Sequence, residues 1–157
     1  MKKWIIVLSI LVLALCGLLI KVYLSAVDPL KTAEKKAVTL AKKEISLTEV
    51  EDFHIYNGNE TVNVIEGKSK KGEKVIVWIP EKSKEIFVRK ANNGLTKEAA
   101  IQKLQQEKSP KKIISVRLGM EKNIPLWEIY YRSNNNLINY YYVHFDTGEW
   151  LKKIENL

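Results

Sequence analysis

An ungapped internal repeat constrains this chain more than any other feature. At an offset of 64 residues, positions 72–87 (GEKVIVWIPEKSKEIF) lie over 136–151 (NLINYYYVHFDTGEWL), which sets Trp78 on Tyr142, Ile79 on Val143, Glu85 on Glu149 and Ile86 on Trp150. Upstream, Val62 falls on Leu126 and Ile65 on Ile129. Self-similarity at a fixed period means one supersecondary unit used twice.

Each copy opens with a helical pattern. Thr32 and Glu34 fall on Thr96 and Glu98; Ala33, Ala37, Leu40 and Ala41 make an apolar stripe in the first copy, and Ala99, Ala100, Ile101 and Leu104 do so in the second, where Thr96 is a natural N-cap. The period then changes to two. Strands are expected near 49–56, 61–67, 73–79 and 84–90, then near 113–119, 125–132, 137–145 and 149–154, with hairpin signals at Asn57-Gly58, Lys71-Gly72, Asn134-Asn135 and Thr147-Gly148. The expected fold class is α+β: two units, each a helix packed on an antiparallel sheet of about four strands. A unit of about 65 residues is marginal alone, so the two copies are expected to dock.

Ahead of the repeat, residues 4–20 carry no charge, and after Lys21 the run resumes with Val22, Tyr23 and Leu24. At about 1.5 Å per residue this stretch reaches roughly 31 Å, enough to cross a bilayer if Lys21 snorkels. Trp4 and Tyr23 sit where interfacial aromatics belong. A cleaved signal peptide is the rival, since Lys2 and Lys3 form a basic start and Ser25 and Ala26 are small; the run is longer than a typical signal core, and Leu24 is a poor residue two places before a cut after Ala26. The expected layout is a short cytoplasmic tail and signal anchor at 1–27, a first domain at 28–92 and a second at 93–157, with both domains extracellular. The lysines that follow the span leave the charge bias indecisive about orientation, so the short basic start carries that expectation.

Charge narrows the partners. Taking Lys2, Lys3 and Lys21 from the formal +8 leaves +5, spread over lysines with only Arg89, Arg117 and Arg132 among them. Nucleic-acid grooves use arginine forks interleaved with aromatics, so no nucleic acid is expected, and anionic headgroups or wall polymer suit the surface better. The one cysteine, Cys16, lies in the apolar run, which leaves the body without disulfides or thiolate ligands.

A lysine-flanked anchor, GEKVIVWIPE in the first unit, and IPLWEIYY and FDTGEW in the second occur in an order and spacing that resembles the membrane-anchored cell wall elongation regulators of Gram-positive bacteria, the YpmB or TseB-like proteins. The resemblance covers nearly the whole chain. It implies two PepSY-like domains of cystatin-like fold, a penicillin-binding protein as partner during lateral wall synthesis, and no catalytic residues. In the first unit Lys82-Ser83-Lys84 replaces the Asp146-Thr147-Gly148 turn, so that copy is matched mainly through its strands.

Direct inspection for chemistry agrees. Asp146-Thr147-Gly148 has the letters of an aspartic-protease triplet but lacks the second copy that a dyad needs, and it reads as a turn. His54 and His144 have no ligand spacing for zinc, and no serine stands in a nucleophile-elbow setting. Catalytic, cofactor and metal residues are therefore not expected.

Aromatic residues crowd the second unit: Trp127, Tyr130, Tyr131, Tyr140, Tyr141, Tyr142, Phe145 and Trp150. Alternation puts Trp127, Ile129 and Tyr131 on one face of their strand, and points Tyr140 and Tyr142 away from Tyr141, Val143 and Phe145. One set is core. The other meets the first unit or a partner, which makes Trp127, Tyr131, Tyr140, Tyr142 and Trp150 the candidate interface or docking residues. The functional expectation is a tethered, non-enzymatic regulator of wall synthesis that binds a penicillin-binding protein or other envelope protein. The alternative is a module that inhibits or chaperones an extracellular peptidase, as PepSY-like domains do.

Overall fold

The computed structural model describes residues 2–157, with side chains from residue 4 onward. The basic start formed by Lys2 and Lys3 lies outside the described side chains. Helix α1 spans Lys2–Ile45, and two four-stranded sheets follow. The first sheet is β1 (Leu47–Asn57), β2 (Thr61–Ser69), β3 (Lys74–Pro80) and β4 (Phe87–Lys90); the second is β5 (Lys112–Glu121), β6 (Ile124–Arg132), β7 (Ile138–His144) and β8 (Trp150–Ile154). Both are antiparallel meanders in chain order. Between them lies α2 (Lys97–Glu107), capped by the Thr96 hydroxyl, which accepts from the Ala99 amide at 3.2 Å. The α+β expectation holds, down to the order of elements.

Pairing register carries the repeat into three dimensions. Val62↔Pro80, Val64↔Trp78 and Ile65↔Val77 in the first sheet reappear 64 residues later as Leu126↔His144, Glu128↔Tyr142 and Ile129↔Tyr141. The first hairpin of each sheet breaks the offset by one residue. Asn57 and Thr61 close a three-residue loop, whereas Glu121 and Ile124 close a two-residue turn with Lys122 and Asn123 at φ 50° and 63°, the left-handed pair that matches strand twist.

Contacts divide the chain into two compact units, Met1–Lys36 and Ala37–Leu157. The boundary expected at 27/28 falls inside α1. Hydropathy ends there but the backbone does not: no glycine interrupts residues 18–45, and Pro29 costs one helical hydrogen bond without ending the helix. Thr32 is therefore mid-helix and caps nothing. In the first unit the apolar side chains of residues 4–24 are exposed, and the helix is long and apolar enough to cross a membrane.

In the second unit, small residues let helices approach sheets closely. Ala37 and Ala41, four apart on the last turns of α1, pack with Leu47, Ile65, Val75, Val77 and Ile79 on one face of the first sheet. Ala100 and Leu104 of α2 repeat that spacing in the other core cluster, with Ile129, Tyr141 and Val143. The opposite face of the first sheet contributes Tyr56, Val62, Val64, Ile76 and Trp78 to this second cluster, so the two copies share one core.

Candidate functional site

Strand alternation sorts the second sheet into two surfaces. Trp127, Ile129, Tyr131, Tyr141 and Val143 share one surface, where Trp127 donates from Nε1 to the Leu95 carbonyl at 2.7 Å and burial raises the Tyr131 and Tyr141 phenols, Glu155 adding to the first and Glu107 of α2 to the second. The other surface pairs Leu126 with His144, Glu128 with Tyr142, Tyr130 with Tyr140 and Arg132 with Ile138. Trp127 and Tyr131 therefore belong to the core. Tyr140 and Tyr142 point away from α2, as alternation requires.

The far surface is polar at one end for a reason that lies in the first copy. Tyr56 of β1, fully buried, inserts against it, and Gly119 makes room: a Cβ there would overlap the Tyr56 ring. The Tyr56 hydroxyl donates to Glu121 Oε1 at 3.3 Å, and the Arg117 guanidinium lies 5.5 Å from the ring centroid. Arg117 then donates from Nε and Nη2 to the same oxygen of Glu128, each at 2.7 Å, which compensates a carboxylate only 4% exposed. Lys152 of β8 pairs with Glu121 and stands 4.3 Å over the Tyr142 ring. Burial, reinforced by Glu128 and Glu121, raises the Tyr56 and Tyr142 phenols well above their ordinary value, so both remain neutral donors.

Beyond this knot the tyrosines form a ladder. Tyr130 stacks on Tyr140 at 4.9 Å and Tyr140 on Tyr142 at 6.3 Å, with interplanar angles of 21° and 19°. Tyr142 is buried, whereas Tyr130 and Tyr140 are half-buried. Trp150, on the edge strand β8, is 50% exposed. The five sequence candidates thus separate into two core residues, one buried at the junction, one on a half-open face and one on an edge.

The junction between copies carries further polar ties. His54 Nε2–H donates to the Leu118 carbonyl at 2.9 Å while Nδ1 faces Asp52, and Arg89 pairs with Asp146 at 3.0 Å. Trp78 meets Phe145 edge to face at 5.3 Å. An open cleft of about 690 Å³ runs beside these contacts, with Ile76, Leu118 and Trp127 in its lining and Glu66 on its wall. Burial raises the Glu66 carboxyl, and Asp52 adds to this against the opposing pull of His54.

Both histidines are engaged in structural contacts. His54 is committed to Asp52 and Leu118, and His144 Nδ1 accepts from the Asp146 and Thr147 amides, which organises the Asp146-Thr147-Gly148 turn with Gly148 at φ 71°. Among the described residues no group of three or more His, Cys, Asp or Glu side chains is placed to hold a metal ion. What the site offers is a half-covered aromatic face.

Comparison with known proteins places this architecture. A family model described as the cell wall elongation regulator TseB-like domain matches residues 36–80, from the end of α1 through β3. The probable cell wall elongation regulator TseB of Bacillus subtilis (strain 168) is 31% identical over 150 residues, covering 95% of this chain and 93% of that protein. The solved structure of the YpmB protein from Bacillus subtilis superposes with a TM-score of 0.73 at 33% identity, covering 77% of this chain and 95% of that one. The chain belongs to the TseB-like family of cell wall elongation regulators.

Proposed function

We propose that this protein is a membrane-anchored regulator of wall elongation that acts by binding a penicillin-binding protein, without catalysis. Residues 4–24 serve as an uncleaved anchor with the N-terminus cytoplasmic, and the two repeats, 28–92 and 93–157, work as domains on the outer side. Family membership over nearly the whole chain carries the regulatory part of this reading. The long exposed apolar helix supports the anchor. The half-open face around Tyr130 and Tyr140, with Trp150 at its edge strand, supports contact with a protein, because tyrosine and tryptophan with polar tips are frequent anchors of interfaces. Tethering raises the effective concentration of a weak partner in the same membrane, so a modest interface suffices.

Photocrosslinking in intact cells tests this. A photoreactive residue replaces Tyr140 in the full-length protein, with exposed Lys42 as control. Recovery of a penicillin-binding protein from position 140 and not from position 42 is the expected result. Equal recovery from both positions, or recovery of an extracellular peptidase alone, would sink the proposal, the latter in favour of peptidase modulation.

A further inference from the structure

The repeat assigns a counterpart to every position of the half-open face. Val62, Val64, Ile76 and Trp78 of the first copy correspond, at the offset of 64, to Leu126, Glu128, Tyr140 and Tyr142 of the second. In the first copy these four residues are buried in the shared core, while Glu66 and Lys74, the counterparts of Tyr130 and Ile138, line the cleft; in the second, Tyr56 fills only one end. The remainder runs from the tyrosine ladder to Ile138 and Ile154, the latter 39% exposed.

The charged side chains at the end of this remainder are cationic. Glu121 and Glu128 are compensated by Lys152 and Arg117 within the face. At its open end Lys112 and Arg132 are direct cross-strand partners, and neither has a carboxylate partner among the described residues; Arg132 bonds the Asn136 side chain at 3.1 Å. Like charges directly opposite one another on a sheet are unfavourable, and no side-chain carboxylate among the described residues pairs with either cation. An anion from outside would.

From the interface geometry and its unpaired charge we infer that this surface (Tyr130, Tyr140, Ile138 and Ile154, with Lys112 and Arg132 at its end) docks an acidic protein segment bearing an aromatic or branched aliphatic anchor. The anchor covers the ladder and the isoleucines, and its flanking carboxylates meet the Lys112–Arg132 pair. A bare polyanion satisfies the two cations but leaves the aromatic and aliphatic surface wet, which favours a peptide over wall polymer. The inference rests on the reading of this chain as a protein-binding regulator and specifies the chemistry of what it binds.

Selection from a random-peptide display library on the full-length protein in detergent micelles tests it, with polyglutamate and lipoteichoic acid as competitors. Enriched peptides are expected to pair carboxylates with an aromatic or branched residue. Their affinity is expected to fall at least tenfold for Arg132→Glu and for Tyr140→Ser, both variants still unfolding in a cooperative transition above the assay temperature, and no loss is expected for Lys42→Glu. Enrichment without acidic residues, indifference to both face variants, or equal competition by polyglutamate or lipoteichoic acid overturns the inference. Restoration of cell elongation by the wild-type gene in a deletion strain is scored separately. Its failure strikes the regulatory reading, whatever the peptides show.

Discussion

The central hairpins of the two sheets, β2–β3 and β6–β7, share one register and differ in what their equivalent faces meet. At the offset of 64, apolar Val64 and Trp78 of the first sheet become Glu128 and Tyr142 of the second, and Ile76 becomes Tyr140. The first set is buried in the shared core; the second carries a buried carboxylate held by a partly exposed guanidinium, and a stacked ladder that runs out to half-buried rings. Backbone pairing tolerates either chemistry, because a ladder needs only alternation and hydrogen bonds. Side chains on a duplicated face follow the neighbour: Glu128 and Tyr142 still pack inside the junction, and Tyr140 marks where the second face opens.

The largest expected effect breaks the comparison at its buried side. Trp78 is fully buried against Phe145, and Trp78→Ala is expected to destabilise the chain by about 3–5 kcal/mol, whereas Tyr140→Ser on the half-open face costs about 1 kcal/mol. Denaturant unfolding of the two variants checks this. Equal losses would mean that the second face is as much core as the first.

A smaller effect probes the ion pair that replaces apolar packing. Removing the guanidinium in Arg117→Met leaves Glu128 buried and uncompensated, and about 2 kcal/mol of stability is expected to be lost. Adding Glu128→Met restores most of that loss, since it removes the buried charge and Val64 of the first copy is apolar at the place of Glu128. A double-mutant cycle reads it. If the double variant is less stable than Arg117→Met alone, the pair organises the junction in a way that packing cannot replace.

Much of this architecture was legible in the sequence because it rests on local rules. Alternation placed the strands of both sheets, and the Thr96 cap and the Asp146-Thr147-Gly148 turn carried their own chemistry; Trp127 and Tyr131 stood with Tyr140 and Tyr142 as interface candidates until strand pairing set them on opposite surfaces. The knot around Tyr56 was not legible. Glu128 sits at a position that reads as solvent-facing between Trp127 and Ile129, and only the cross-strand Arg117, 11 residues upstream, and Tyr56 from the other copy make it a buried site. The continuity of α1 was obscured for a different reason: the apolar run ends near residue 24, and composition marks the end of a membrane stretch without marking the end of a helix. Tyr130 was visible as an aromatic, but its place in the ladder depends on register with Tyr140.

The smallest expected effect sharpens the comparison at Glu66, which stands in the first copy where Tyr130 stands in the second. Glu66 lines the cleft between the copies, and its surroundings are mixed: Asp52 and Glu51 add to the effect of burial, while His54 and Lys74 oppose it. The folded chain therefore holds this proton more tightly than the unfolded chain does. Its contribution to stability is full below the unfolded value of about 4.3 and is lost as pH rises through the higher folded value. Glu66→Gln is accordingly expected to raise stability slightly at pH 7, with the gain vanishing in acid, where the wild-type carboxyl is protonated in both states. Unfolding free energies of the two chains across that interval measure it. A variant less stable than wild type at pH 7 would mean that the ionised carboxylate makes a favourable contact across the cleft, and the first copy would then share the polar character that distinguishes the second.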